Sequence, residues 1–253
     1  MKLVKIIFVL TAFTMLLNAQ KKDFRKIEHN AFDVGEKLTF EVNYGPITAG
    51  IAVMEIPKLK RISGRDSYNI QFKVNSVSSF DGVFKVRDKY VTYLDKEGIF
   101  PWRFEQHIRE GGYSKDYSAF FDQRRGKAKT SNGKVDIPPY VNDIVSAFYY
   151  LRTQNLSKYK KGDKIEMENF FDNKIFPLNV MIHGREEVDV EAGTFKCVVV
   201  EPLVKEGGLF KHEGNILIWL TDDHRRMPVK VKTKIIIGSI EAELIKHEGL
   251  TQK

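Results

Sequence analysis

The chain has 253 residues and a formal net charge of +8, with 42% hydrophobic residues. That length suits one large β domain or two small ones and is ample for a sizeable core. Cys197 is the only cysteine, which excludes an intramolecular disulfide framework and leaves stability to packing.

Lys2 and Lys5 precede the apolar run Ile6–Leu17. That run has the length of a signal-peptide core and falls short of the roughly 20 apolar residues of a membrane helix. Cleavage after Ala19 is expected, so residues 1–19 read as a signal peptide and residues 20–253 as one antiparallel β domain. No cysteine lies near the expected cleavage point, so no lipid anchor is expected. Residues 20–30 are polar and charged and read as a loose leader.

Leu38–Tyr44 alternates at period two and reads as a strand with one buried face. Gly45-Pro46 ends it, and Ile47–Ile56 resumes as a second strand, with Gly50 expected at a bulge. Pro57–Asp66 reads as a basic loop and Ser67–Ser79 as a third strand. Val86–Leu94 is another strand. Phe100–Arg109 and Tyr113–Phe121 form a hairpin through Glu110-Gly111-Gly112, and Ser131-Asn132-Gly133-Lys134 marks a further tight turn.

Pro138-Pro139 interrupts the strand pattern, and a helix is expected over residues 142–152, capped by Asn142 or Asp143. Ile144, Ala147, Phe148 and Leu151 fall on one helical face. Lys164–Phe171, Ile175–His183, Glu186–Val190 and Phe195–Pro202 read as strands, and Glu206-Gly207-Gly208 as a flexible loop. Ile216–Leu220 and a strand opening at Pro228 flank the polar turn Thr221–Arg226, and Ile240–Ile245 follows. About a dozen closely spaced strands predict a mainly β protein: an antiparallel curved sheet, or a partly closed barrel or sandwich, with one amphipathic helix between two β halves.

Several stretches occur together in order. They are Gly35-Glu36-Lys37-Leu38-Thr39-Phe40, Val86-Arg87-Asp88-Lys89-Tyr90, Asp143–Arg152, Ala192-Gly193-Thr194-Phe195 and Trp219–Val229. Together they resemble the family of domain of unknown function 3108, exported β-rich proteins of bacterial envelopes. The resemblance covers nearly the whole mature chain and implies an antiparallel β fold in the envelope. It brings no activity and no catalytic residues. A looser likeness of architecture is to half-barrel lipoprotein carriers, which hold acyl chains in an apolar concavity.

The residues nominate little chemistry. Cys197 shares its strand parity with Phe195 and Val199 and reads as a buried small hydrophobe. The six histidines form no His-x-x-x-His or His-x-His pair, and no Gly-x-Ser-x-Gly elbow or glycine-rich phosphate loop is present. Asp222-Asp223 with His224 reads as a capped turn rather than a cation site. The best feature is a basic stripe: Lys230, Lys232 and Lys234 recur every second residue, about 6.6 Å apart on one face, with Arg226 in the same parity. These four are the candidate ligand-binding residues, weighed against a plain solvent face or a lysine-guarded edge.

The expectation is a periplasmic, non-enzymatic envelope protein that needs no cofactor or metal. Its expected partner is a lipid, glycolipid or anionic glycan, with peripheral membrane contact and no nucleic acid. An envelope hydrolase and a structural or assembly protein are the alternatives.

Overall fold

The computed structural model describes residues 23–204, 216–234 and 238–252. The expected signal peptide and the Glu206-Gly207-Gly208 loop lie outside them. The strands are β1 (Lys37–Tyr44), β2 (Ile47–Glu55), β3 (Leu59–Ile62), β4 (Arg65–Ser76), β5 (Arg87–Asp95), β6 (Pro101–Glu110), β7 (Tyr113–Asp122), β8 (Lys127–Thr130) and β9 (Gly133–Asp136). The second half holds β10 (Lys164–Phe171), β11 (Lys174–Val190), β12 (Gly193–Val204), β13 (Ile216–Thr221), β14 (Pro228–Lys234) and β15 (Ser239–Glu248). A single helical turn, α1 (Ser78–Asp81), precedes β5, and α2 (Ile144–Thr153) separates the halves.

All fifteen strands form one curved antiparallel sheet. Its order is β10-β11-β12-β13-β14-β15-β1-β2-β4-β5-β6-β7-β8-β9, with β3 added on β4. The sheet does not close, and β9 and β10 are its two ends. Pro228 opens β14 as expected, where its missing N–H is tolerated. Gly50 sits beside the expected irregularity: Val42 pairs Gly50 and Asn43 pairs Thr48, so Ala49 is extra. A Cβ on Gly50 would stand 2.6 Å from the Asn75 carbonyl oxygen, so only glycine fits between the neighbouring strands.

The helix α2 fills the inside of the curve. Asp143 caps it, its Oδ1 accepting from the Val145 and Ser146 N–H groups at 2.9 Å each. One side, with Val145 and Tyr149, packs on Ile70, Leu94, Phe104, Phe121 and Phe170. The other, with Ala147 and Leu151, packs on Ile165, Val180, Ile182, Val198 and Leu220. Burial of each full-sized aliphatic chain here contributes about 1.5–3 kcal/mol. The single apolar stripe expected for this helix is therefore only part of its buried surface. A helix enclosed by a sheet on both sides buries most of its circumference, Tyr149 and Arg152 included.

A third cluster lies on the opposite face of β12, where Cys197 and Val199 meet Leu38, Phe40, Trp219, Val229 and Leu244. Cys197 is buried as expected, and burial pushes its thiol up to about 12. The outer part of the β11–β12 hairpin folds over β15 and donates the Ala192 N–H to the Leu244 carbonyl at 3.1 Å. A bulge makes this bend, since Ile182 pairs Val200 while Gly184 pairs Val199. The two strands read as Ile175–His183 and Glu186–Val190 are thus one strand with a corner in it.

Two other expectations are corrected. The basic loop Pro57–Asp66 contains β3, turned onto β4 by Ser63 and Gly64 at φ 51° and 79°. Both lie in the left-handed region that a two-residue hairpin turn needs. The described part of the leader is not loose. Ile27 N–H donates to the Glu97 carbonyl at 2.8 Å, and Phe24 packs on Phe100 and Trp102. Its polar composition hid a few apolar anchors, each with a place in the core.

Candidate functional site

The two ends of the sheet are joined by backbone that is not a strand. Pro138-Pro139 is followed by Tyr140 at φ 61°, which swings the chain to the free edge of β10. There the Asn142 N–H donates to the Glu168 carbonyl at 3.1 Å, and the Asn142 carbonyl accepts from the Phe170 N–H at 2.6 Å. A cleft of about 550 Å³ opens at this seam, lined by Arg25, Tyr140, Asn142, Tyr150, Glu166 and Asn179 among others. That volume falls within the range of small-ligand sites.

The wall residues come from several separate parts of the chain. Arg25 comes from the leader and donates to the Gly98 and Ile99 carbonyls at 2.8 and 2.6 Å. Its guanidinium lies 4.4 Å from the Tyr140 ring centre and 4.9 Å from that of Tyr150. Burial lowers its pKa, against the nearby tyrosines and Asp95. Tyr140 Oη accepts from the Arg25 N–H at 3.0 Å, and the Tyr140 N–H donates to Gln123 Oε1 at 3.0 Å. Glu166 and Glu168 stand on the exposed parity of β10, alternating with buried Ile165 and Met167.

Asn142 is the informative wall residue. It is 4% exposed, yet its Oδ1 has no hydrogen-bond partner in the protein. A buried acceptor without a partner carries a penalty of about 1–3 kcal/mol unless a donor reaches it from elsewhere. The cleft therefore combines tyrosine rings, amides and carboxylates. That set suits a ligand rich in hydroxyl donors.

The residues of the expected basic stripe lie elsewhere. Lys230 Nζ reaches Glu241 at 2.7 Å and Glu243 at 2.6 Å, and Lys232 Nζ reaches Glu241 at 2.6 Å. Hydrogen bonds from the two lysines hold Glu241 down to about 2. Lys234 is exposed at the end of β14. Arg226 stands apart from the ladder: its Nη1 donates to the Arg152 carbonyl at 3.1 Å and the His224 carbonyl at 2.9 Å. It thereby ties the Thr221–Arg226 turn to the end of α2. That turn is capped by Asp223, which accepts from Thr221 Oγ1 at 2.7 Å and from the Arg225 N–H at 2.9 Å. Among the described residues, no three His, Cys, Asp or Glu side chains converge as a metal set.

A buried pair not expected from the sequence lies at the C-terminal end of α2. Arg152 donates from Nη1 and Nη2 to the two carboxylate oxygens of Glu36, at 2.7 Å each. Arg152 Nη2 also reaches the Ala31 carbonyl at 3.2 Å and Nε the Arg225 carbonyl at 3.2 Å. Burial works against the Arg152 charge, and Glu36 more than offsets it, so its pKa is raised. The pair joins the chain entering β1, the helix and the polar turn at one point. The signal was present only as an Arg at a helix C-terminus, which has an ordinary explanation in the helix dipole.

A family model described as "Protein of unknown function (DUF3108)" matches residues 39–245. The chain belongs to this family. No curated protein matches it. Among solved structures, a β-barrel-like protein of DUF1849 from Brucella abortus is similar at a TM-score of 0.56 and 12% identity, covering 86% of this chain and 98% of that one. A protein with YmcC-like fold from Bacteroides fragilis is similar at a TM-score of 0.39 and 9% identity, over 88% and 99% of the two chains. The Brucella likeness shows that this DUF3108 chain shares a β-barrel-like fold. Among the described residues, no helix is long and apolar enough to cross a membrane.

Proposed function

We propose that this DUF3108 protein is exported to the periplasm and serves there as a non-enzymatic binding protein of the envelope. Its ligand is the glycan, or the sugar-bearing headgroup, of an envelope component, held in the seam cleft. The observation that carries this reading is a cleft of about 550 Å³ walled by Tyr140, Tyr150, the amides of Asn142 and Asn179 and the carboxylates of Glu166 and Glu168. Sugar hydroxyls pair with amides and carboxylates, and the tyrosine rings offer flat apolar surface to sugar C–H faces. Export rests on the charged, apolar and small-residue order of the first 19 residues.

The inside of the curve is occupied by α2, Phe32 and Phe121, so the reading places the polar part of the ligand, not an acyl tail, in the recognition site. Lys230 and Lys232 take no part, because Glu241 and Glu243 already meet their charges. The test is native mass spectrometry of the protein purified gently from its own envelope. A sugar-containing adduct on the wild type that is lost from Asn142→Ala and Tyr150→Ala supports the reading. An adduct-free wild type, or an adduct retained by both variants, overturns it. Conversion of released envelope glycan to smaller products would instead support a hydrolase, with Glu166 and Glu168 the first carboxylates to replace.

A further inference from the structure

The exposed apolar side chains gather at one end of the sheet. β1, β4, β6, β10 and β14 all finish at the same rim, because every pairing in the sheet is antiparallel. Of the eight large apolar side chains exposed among the described residues, six belong to this rim: Ile47, Val83, Phe84, Tyr113, Ile175 and Ile240. Backbone and ion-pair contacts make the rim continuous. Tyr44 pairs both Ile47 and Ile240, and the Val77 N–H donates to the Ala49 carbonyl at 3.0 Å, which seats α1 beside β2. The Gly111 N–H donates to the Lys85 carbonyl at 2.8 Å, which sets Phe84 against the β6–β7 turn where Tyr113 begins. Lys115 then reaches Asp172 at 3.3 Å, in the β10–β11 turn that precedes Ile175.

Lysines share this rim. Lys85, Lys174 and Lys234 are exposed there and form no ion pair among the described residues. They differ in this from Lys230 and Lys232, lower on β14, which are neutralised. Val83 is 76% exposed and Tyr113 is 56% exposed, well beyond what a packed position shows. The apolar groups are strung along the strand ends and turns of this edge with lysines among them. They do not form the contiguous, close-packed centre of a protein interface. Aromatic and aliphatic tips flanked by unpaired lysines match a bilayer surface, where apolar groups enter the acyl boundary and ammonium groups meet anionic headgroups.

We infer that this rim docks the protein on an anionic lipid surface, leaving the seam cleft as a separate site. The inference does not depend on the glycan reading. The test is sedimentation of the full chain with vesicles of phosphatidylcholine and about 30 mol % phosphatidylglycerol at low salt. The wild type is expected to co-sediment, and to be released by about 0.5 M salt, where charge attraction is screened. Two surface variants, V83S/F84S/Y113S and K85Q/K174Q/K234Q, are each expected to weaken binding by about tenfold or more while keeping the wild-type circular dichroism. K230Q/K232Q is expected to bind as the wild type does. Absence of wild-type binding, or equal binding by both rim variants, overturns the inference. Self-association of the wild type that V83S/F84S/Y113S abolishes, without vesicle binding, also overturns it and assigns the rim to a second copy of the chain.

Discussion

Two sets of acid–base contacts in this molecule use the same chemistry in opposite surroundings. The Glu36–Arg152 pair is sealed from water, with side chains 1% and 0% exposed. The ladder of Lys230 and Lys232 with Glu241 and Glu243 stands on a partly wetted face. The ladder is conspicuous in the sequence because lysine recurs every second residue. The buried pair leaves no pattern, because its members are 116 residues apart. Energetics run the other way. A desolvated charge that loses its partner has nothing to replace it, whereas water replaces the partner of an exposed lysine at little penalty. Visibility in a sequence and weight in the fold are therefore separate properties.

The comparison is broken most forcefully at Arg152. Arg152→Ala or Glu36→Ala should each destabilise by about 3–5 kcal/mol, read as a fall in the urea midpoint. Replacing both with apolar residues of similar volume, as in E36L/R152M, should recover most of that loss, because no charge is then left alone. Recovery would show that the pair fixes the meeting of the chain entering β1, the helix and the turn more than it stabilises them.

Asp143 gives the next effect and sharpens the contrast by pH. Burial raises its pKa from the ordinary 3.8 to about 6, against hydrogen bonds from Ser146, Thr92 and Val145. Between those values the folded chain holds a proton that the unfolded chain has released, so stability falls as pH rises across the window. Asp143→Asn keeps an effective cap and removes the titration. The wild type should lose roughly 2 kcal/mol relative to this variant between about pH 4 and pH 6, measured by urea unfolding at several pH values. Parallel curves for the two proteins would contradict the assignment.

The smallest effect belongs to the ladder. Lys230→Gln and Lys232→Gln should each cost about 0.2–1 kcal/mol, shrinking with added salt. The pH dependence here has the opposite direction to that of Asp143. Glu241 is held down to about 2, so its contribution is present above its ordinary 4.5 and fades as pH falls toward 2. Loss of more than the Arg152 variants show would reverse the ranking of the two regions.

What the sequence made legible follows from distance along the chain. Strand alternation in Leu38–Tyr44, the Asp143 cap and the proline opening β14 are local signals, and each is found where expected. The curved antiparallel sheet follows from many such signals taken together. The Ser63-Gly64 turn was local too, but the surrounding lysines and arginines masked a short strand on the outside of β4. The cleft could not be read this way. Arg25 and Tyr140 are 115 residues apart and meet only because the seam brings leader and helix together. Nothing in their own neighbourhoods announces a binding wall. The vacancy at Asn142 Oδ1 exists only once the surrounding chain has buried it.

The most direct test of the cleft is hydroxyl-radical footprinting of the protein with the glycan fraction released from the same envelope by mild acid. Tyr140 and Tyr150 line the cleft, while Phe84 and Tyr113 are exposed outside its lining and serve as internal references. The account predicts protection of the two cleft tyrosines with the rim unchanged, and loss of that protection in Asn142→Ala. Protection confined to the rim, or none at any of the four residues, would contradict it.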